Sequence, residues 1–225
     1  ASGGSLTLAA VTDSGDIQVT NTGTLIIDTV DGLPGVAITD TANNNSGNDH
    51  IVLIALSPLT VSQPVTNNDG GNITLTASGA LATDNLTISA ALTITGGDAV
   101  SDGDGNVTLN AGNSIFQNAG GNISVDGAGA LDYNAGTGTA TGVITQVDAT
   151  TSVTATGLIT MDADGDITIA NVQTGNTTNA AVTVTSTAGG IVDGGATNVD
   201  IIANSGRVVI NAVTGVGNGG AIETT

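Results

Sequence analysis

"DGDGNVTLNAGNSIFQNAGGNISVDGAGAL", residues 102–131, says nearly the same thing twice. Gly105-Asn-Val-Thr-Leu109 is answered sixteen residues on by Gly121-Asn-Ile-Ser-Val125. Each time a Gly-Asn corner opens onto an apolar, hydroxyl, apolar triplet. Alternation at period two with β-branched residues fits a strand with one buried face. Gly, Asn and Asp tolerate positive φ and bond their own backbone, so they mark turns on either side. The stretch reads as corner, strand, corner, strand.

The same phrase runs through the chain. Gly4-Ser-Leu-Thr-Leu8, Gly15-Asp-Ile-Gln-Val19, Gly71-Asn-Ile-Thr-Leu75, Gly165-Asp-Ile-Thr-Ile169 and Gly206-Arg-Val-Val-Ile210 share it. Shorter relatives lie between them: Leu86-Thr-Ile88, Leu92-Thr-Ile94, Val153-Thr-Ala155, Val182-Thr-Val184 and Val199-Asp-Ile201. No segment holds a helical spacing of apolar residues over three turns, so little or no helix is expected and the chain reads as all-β. A β-sandwich would need strands of 6–9 residues and aromatic anchors between its sheets. A parallel β-solenoid needs short strands, tight corners and coils of roughly 20 residues stacked on one another. With 34 Gly and only 1% aromatic residues, the expectation is a right-handed parallel β-solenoid (β-helix) of about ten coils, one repeat-built unit over 1–225. Tandem β-sandwich repeats are the alternative. Val107, Leu109, Ile123, Val125, Ile167 and Ile169 should point inward, and Thr108, Ser124 and Thr168 outward.

Two stretches interrupt the pattern. "DTANNNSGND", residues 40–49, is too polar for a coil face and reads as a loop excursion before the apolar His50-Ile-Val-Leu-Ile-Ala-Leu56. "NAGTGTAT", residues 134–141, reads as a second. Pro34, Pro58 and Pro64 fall at expected corners or strand starts, where a missing N–H is tolerated.

Composition narrows the chemistry. One Arg, no Lys and twenty acidic residues in 225 give a formal net charge of −19. Few aromatics and high charge are marks of disorder, but the chain is 39% hydrophobic with a mean hydropathy of +0.28, and its apolar residues fall in register. There is no Cys, hence no disulfide or thiolate metal site. Phosphate recognition needs Lys and Arg, so nucleic acid and anionic membrane surfaces are not expected partners. No apolar run approaches the ~20 residues of a membrane-spanning helix. The chain lacks an initiator Met and a leader segment, which reads as a processed chain or a piece of a longer one.

"GGNITLTASGALATDNLTISAALTI", residues 70–94, and "GNVTLNAGNSIFQNAGGNISVDGAGAL", residues 105–131, resemble the shaft repeats of filamentous haemagglutinin-type adhesins. They also look like autotransporter passengers and giant repeat-rich bacterial surface proteins. The resemblance covers most of the chain. It implies an elongated structural or adhesive shaft, extracellular or on a bacterial cell surface, and it transfers no catalytic residues. The Asn-Pro-Asn motifs of the two-partner secretion domain are missing, so that export route is not implied.

Solenoids also host polysaccharide lyases and hydrolases, which leaves carbohydrate binding or processing as an alternative. Glycoside hydrolysis needs paired carboxylates. Acid–base partners are few: His50 and Arg207 are the single His and Arg, and only Phe116 and Tyr133 could stack on a sugar. A non-enzymatic protein is expected, with no catalytic residues. "SDGDG", residues 101–105, and "DADGD", residues 162–166, look like the first half of a calcium loop, in which alternating carboxylates and a Gly turn wrap a hard cation. Asp102, Asp104, Asp162, Asp164 and Asp166 are therefore the candidate calcium ligands, with simple turn formation as the competing reading. The Asn-x-Ser/Thr triplets at Asn72, Asn85, Asn106, Asn122 and Asn176 match a glycosylation acceptor, but the repeat itself places Asn and Thr there.

Neither end of the sequence resembles a polar or helical cap. A solenoid leaves unpaired N–H and C=O rows at its ends. The expectation is continuation into neighbouring repeats of a longer chain or end-to-end self-association into a filament. A surface glycan or receptor is the other expected partner.

Overall fold

A computed structural model describes residues 3–40, 49–95, 105–137, 141–195 and 198–225. Among these there is no helix, and so none long and apolar enough to cross a membrane. Their twenty-four strands form three parallel sheets of eight. The first sheet stacks Leu6–Leu8, Leu25–Ile27, Leu59–Val61, Leu86–Ile88, Ile115–Gln117, Ile144–Gln146, Ile167–Ile169 and Ile191–Asp193. The second stacks Ala10–Thr12, Val36–Ile38, Val65–Asn67, Leu92–Ile94, Ile123–Val125, Ser152–Thr154, Val172–Thr174 and Ile201–Ile202. The third has the longer strands: Ile17–Asn21, Ile51–Ala55, Ile73–Ala77, Val107–Ala111, Leu131–Ala135, Ile159–Ala163, Val182–Ser186 and Val208–Asn211. The chain visits the sheets in turn, once per coil, so the fold is a three-sided parallel β-solenoid.

The strands of the described residues make eight coils rather than ten, and parallel bridges from Val216 to Ile191 and from Thr224 to Ile201 begin a ninth. The smaller number follows from the corners. Each coil carries three strands joined by corners of varying length, so a coil takes from 19 residues (Leu6 to Leu25) to 34 (Leu25 to Leu59) rather than roughly 20 throughout. At ~4.8 Å per coil the described rod is roughly 40 Å long.

The core is one side chain deep and built from ladders of like residues. Leu25, Leu59, Leu86, Ile115, Ile144, Ile167 and Ile191 follow one another in register on the first sheet, all fully buried. At the end of the third sheet Ala55, Ala77, Ala111, Ala135 and Ala163 form a ladder of small side chains where the wall bends toward the next corner. All six residues expected inward are buried, while Ser124 is exposed and Thr108 and Thr168 half-buried on the outer faces.

Polar side chains interrupt the apolar interior at several strand positions, among them Asn67, Thr174 and Ser186, and gather in one knot. Tyr133, Gln117, Gln146 and Ser152 are all buried. The Tyr133 hydroxyl lies 2.8 Å from Gln117 Oε1 and 2.6 Å from Ser152 Oγ. Gln146 Nε2 donates to Gln117 Oε1 at 3.0 Å and to Ser152 Oγ at 2.9 Å, while its Oε1 accepts the Ala170 N–H at 3.0 Å. A phenol buried among aliphatic side chains needs such partners, and burial pushes its pKa up, so it stays a neutral donor. Tyr133→Phe should cost about 1–2 kcal/mol in urea unfolding without altering the fold. Gln146→Leu should cost more, because it also orphans the Ala170 N–H.

One of the shorter phrases sits one residue away from its expected register, and another keeps its register but begins its strand late. The strand is Ser152–Thr154, with Val153 on the outer face and Ala155 exposed, because Ser152 is wanted by the knot and Thr154 Oγ1 donates to the Gly157 carbonyl at 2.9 Å. The last strand of the second sheet is Ile201–Ile202, which places Asp200 at the corner, where it is fully buried. Of the two expected excursions, residues 41–48 lie outside the described residues. The second begins later than expected: Asn134 and Ala135 still belong to a strand, and 138–140 lie outside the described residues.

Candidate functional site

The Gly-Asn phrase has a specific job at the corners. Along the first four strands of the third sheet, the side chain of the residue just before the strand accepts the backbone N–H of its counterpart one coil on. Asp16 Oδ1 accepts His50 N–H at 2.8 Å, His50 Nδ1 accepts Asn72 N–H at 3.0 Å, Asn72 Oδ1 accepts Asn106 N–H at 2.8 Å, and Asn106 Oδ1 accepts Ala130 N–H at 2.7 Å. The other corners repeat the device: Asn122 Oδ1 takes Thr151 N–H at 3.0 Å, and Asn85 Oδ1 takes Ser114 N–H at 3.1 Å. These N–H groups would otherwise face a gap between coils, where an unmet donor is costly. The single His, His50, is thus a rung in a corner ladder, doing what Asn does above it.

The candidate calcium ligands are placed by the same rules. Asp166 precedes a strand of the first sheet, and its Oδ1 accepts the Gly190 N–H at 2.7 Å, as a ladder rung. Asp164 sits in the preceding turn and accepts the Thr187 hydroxyl at 2.9 Å. Asp162 projects from the outer face of the third sheet and is exposed. The three therefore point to separate tasks, and among the described residues no group of three or more acidic or His side chains gathers to hold a metal ion. Asp102 and Asp104 lie outside the described residues.

The outer face of the third sheet offers two ranks of side chains, the second and fourth residues of each strand. One rank runs Thr74, Thr108, Asp132, Thr160, Thr183, and the other Thr76, Asn110, Asn134, Asp162, Thr185. Asn110 Nδ2 donates to Thr76 Oγ1 at 3.3 Å and Asn134 Nδ2 to Asn110 Oδ1 at 3.1 Å, so the amides bond along the rod. Partial burial raises the pKa of Asp132; the Thr160 hydroxyl opposes this, and the charge of Asp162 adds to it. A pair of neighbouring carboxylates is a motif of acid–base chemistry. Here they stand on a flat sheet face among hydroxyls and amides.

The described cleft lies elsewhere, at the corner between the third and first sheets. It has a volume of about 590 Å³ and is lined by Thr22, Leu56, Ser57, Leu81 and Asp84 among others. Asp84 is buried and its carboxylate accepts the Leu81 N–H at 2.8 Å. Leu56 and Leu81 are exposed rim residues. The cleft thus combines an apolar rim with a carboxylate already committed to backbone.

The corner ladders were the functional detail that sequence reasoning missed. The signal was present in the Asn that recurs before strands at Asn72, Asn85, Asn106 and Asn122, but it reads equally as simple turn formation. In comparisons with protein-family models, with curated proteins and with solved structures, nothing matches this chain.

Proposed function

We propose that the chain is a non-enzymatic β-solenoid shaft, structural or adhesive in role, working outside the cell or on its surface as one stretch of a longer stack of coils. The observation that carries this reading is the contrast between the middle and the ends of the rod. The ladder side chains of the middle coils are wholly buried, whereas Leu6 is 38% exposed at one end and Val216 53% at the other. Such open rows of apolar side chains and unpaired backbone groups are what a further coil covers, whether it comes from the same polypeptide or from a second copy. The hydroxyl and amide ranks on the outer face of the third sheet, with Asp132 and Asp162 among them, supply a repetitive polar surface suited to weak multivalent contact with surface glycans.

The experiment has two arms. Light scattering over a concentration series should show end-to-end association of the 225-residue chain; a dispersed monomer at high concentration would overturn the stacking part. Incubation with acidic and neutral polysaccharides should give binding without turnover. Product formation that vanishes in Asp132→Asn or Asp162→Asn would replace the shaft reading with an enzymatic one.

A further inference from the structure

The corner ladders pair an acceptor side chain with the N–H of the residue above. Among the described residues, one rung sets a carboxyl directly over a carboxyl. Asp200 occupies the position before the last strand of the second sheet, and Glu223 occupies the same position in the ninth, incomplete coil. Asp200 Oδ2 accepts the Glu223 N–H at 3.0 Å, as the ladder requires. Asp200 is fully buried, and its Oδ1 has no hydrogen-bond donor. The neighbouring side chain is the Glu223 carboxyl, itself an acceptor when ionised. An orphaned buried carboxylate oxygen costs free energy comparable to a lost charged hydrogen bond. A single proton held between the two carboxyls removes both the orphan and the repulsion.

We propose that Asp200 and Glu223 form a proton-sharing clasp that docks residues 221–225 onto the end of the second sheet in acid and releases them at neutral pH. The docked segment hangs on few other bonds: Ile201 N–H to the Glu223 carbonyl at 3.0 Å, Ala203 N–H to a terminal carboxylate oxygen of Thr225 at 2.8 Å, and Thr225 N–H to the Ile201 carbonyl at 3.0 Å. The ionisable groups facing Asp200 are both acidic: Glu223 from the ninth coil and Asp193 from the last strand of the first sheet, whose Oδ1 takes the Gly195 N–H at 2.7 Å. Burial, chiefly, pushes Asp200 from its ordinary 3.8 up to about 6; the Glu223 N–H pulls it back, and the Glu223 carboxyl and the charges of Asp193 and Glu223 raise it further. Because the docked form holds its proton more tightly than the free form, the clasp is complete below about pH 4 and is lost as pH rises through about 6. Release would bare the edge of Ile201–Ile202. That consequence for association rests on the reading of the ends given above, whereas the clasp does not.

Amide hydrogen exchange on the dilute 225-residue chain tests the clasp directly, with rates divided by their intrinsic pH dependence. Protection at Ile201, Ala203 and Thr225 should fall by roughly ten- to a hundredfold between about pH 4.5 and 7.5, while Leu109 and other mid-rod amides stay constant. Asp200→Asn should hold protection high across the range. Glu223→Gln, at an exposed position, should flatten the profile too and serves if the first variant fails to fold. Light scattering at the two pH values, run separately, reads association, which the clasp does not require. Protection that does not change with pH in the wild-type chain, or a fall that persists in Glu223→Gln, would overturn the proposal. So would millimolar calcium restoring full protection at neutral pH, since a cation rather than a proton would then join the carboxyls.

Discussion

Leu109→Asp should leave no cooperatively folded protein at room temperature. Leu109 is fully buried in the third sheet, in register with Leu75 on one side and Tyr133 on the other. An aspartate there would carry a charge into a core one side chain thick, between the Leu75 side chain and the Tyr133 ring. The chain has one Arg and no Lys to answer it. The carboxylate must therefore ionise unpaired or bind a proton at high cost, at least ~4 kcal/mol in either case. A solenoid concentrates the damage, because each coil is stabilised by its two neighbours and one melted coil uncouples both halves. Far-UV circular dichroism and thermal unfolding give the readout, and Leu109→Met is the control. Volume-conserving swaps of this kind usually cost less than about 1.5 kcal/mol. A native-like melting curve for Leu109→Asp would show that the coils do not pack as described.

The second large effect is expected at a corner, from the addition of a small side chain rather than the loss of one. Gly71, Gly105, Gly129 and Gly157 each stand two residues before a strand of the third sheet and stack over one another. A Cβ on Gly129 would collide with the carbonyl oxygen of Gly105, and one on Gly157 with that of Gly129. The obstacle is backbone, which cannot swing aside as a side-chain tip can. Gly129→Val should therefore push two coils apart and cost roughly 3 kcal/mol or more, lowering the melting temperature by many degrees. Gly4→Ala is the matched control: its Cβ would meet nothing within 4 Å, and its melting curve should overlay the wild type. Equal tolerance at the two positions would mean that the corner ladder is not closely packed.

Much of the architecture was legible in the sequence. Alternation over three to five residues, bounded by Gly and Asn, is a local signal, and in a solenoid local signals suffice because every coil faces a near copy of itself. Leu25, Leu59 and Leu86 lie far apart in sequence yet share one environment, so one phrase, read once, tells the inward face of all. The coil count was not legible. It depends on which strands count as consecutive sides of one coil, and corners of unequal length hide that spacing. Strands such as Ile115-Phe-Gln117 and Leu131-Asp-Tyr-Asn-Ala135 were hard to see, because a buried Gln or Tyr breaks apolar alternation. Only the tertiary structure brings Tyr133, Gln117, Gln146 and Ser152 together, so that each offsets the desolvation of the others.

The division is sharpest for the acidic residues. As letters, Asp162, Asp164 and Asp166 are equivalent, an alternating set beside a Gly. Backbone direction separates them: the strand turns Asp162 outward, the turn gives Asp164 to Thr187, and the corner ladder gives Asp166 to Gly190. Asp200 and Glu223, which no local motif marks, meet because successive coils return to the same corner. Strand, turn and buried face follow from the chemistry of neighbouring residues and so are written in the sequence. Which carboxylates meet across coils follows from corner lengths and the stacking of distant residues, and that only the closed solenoid decides.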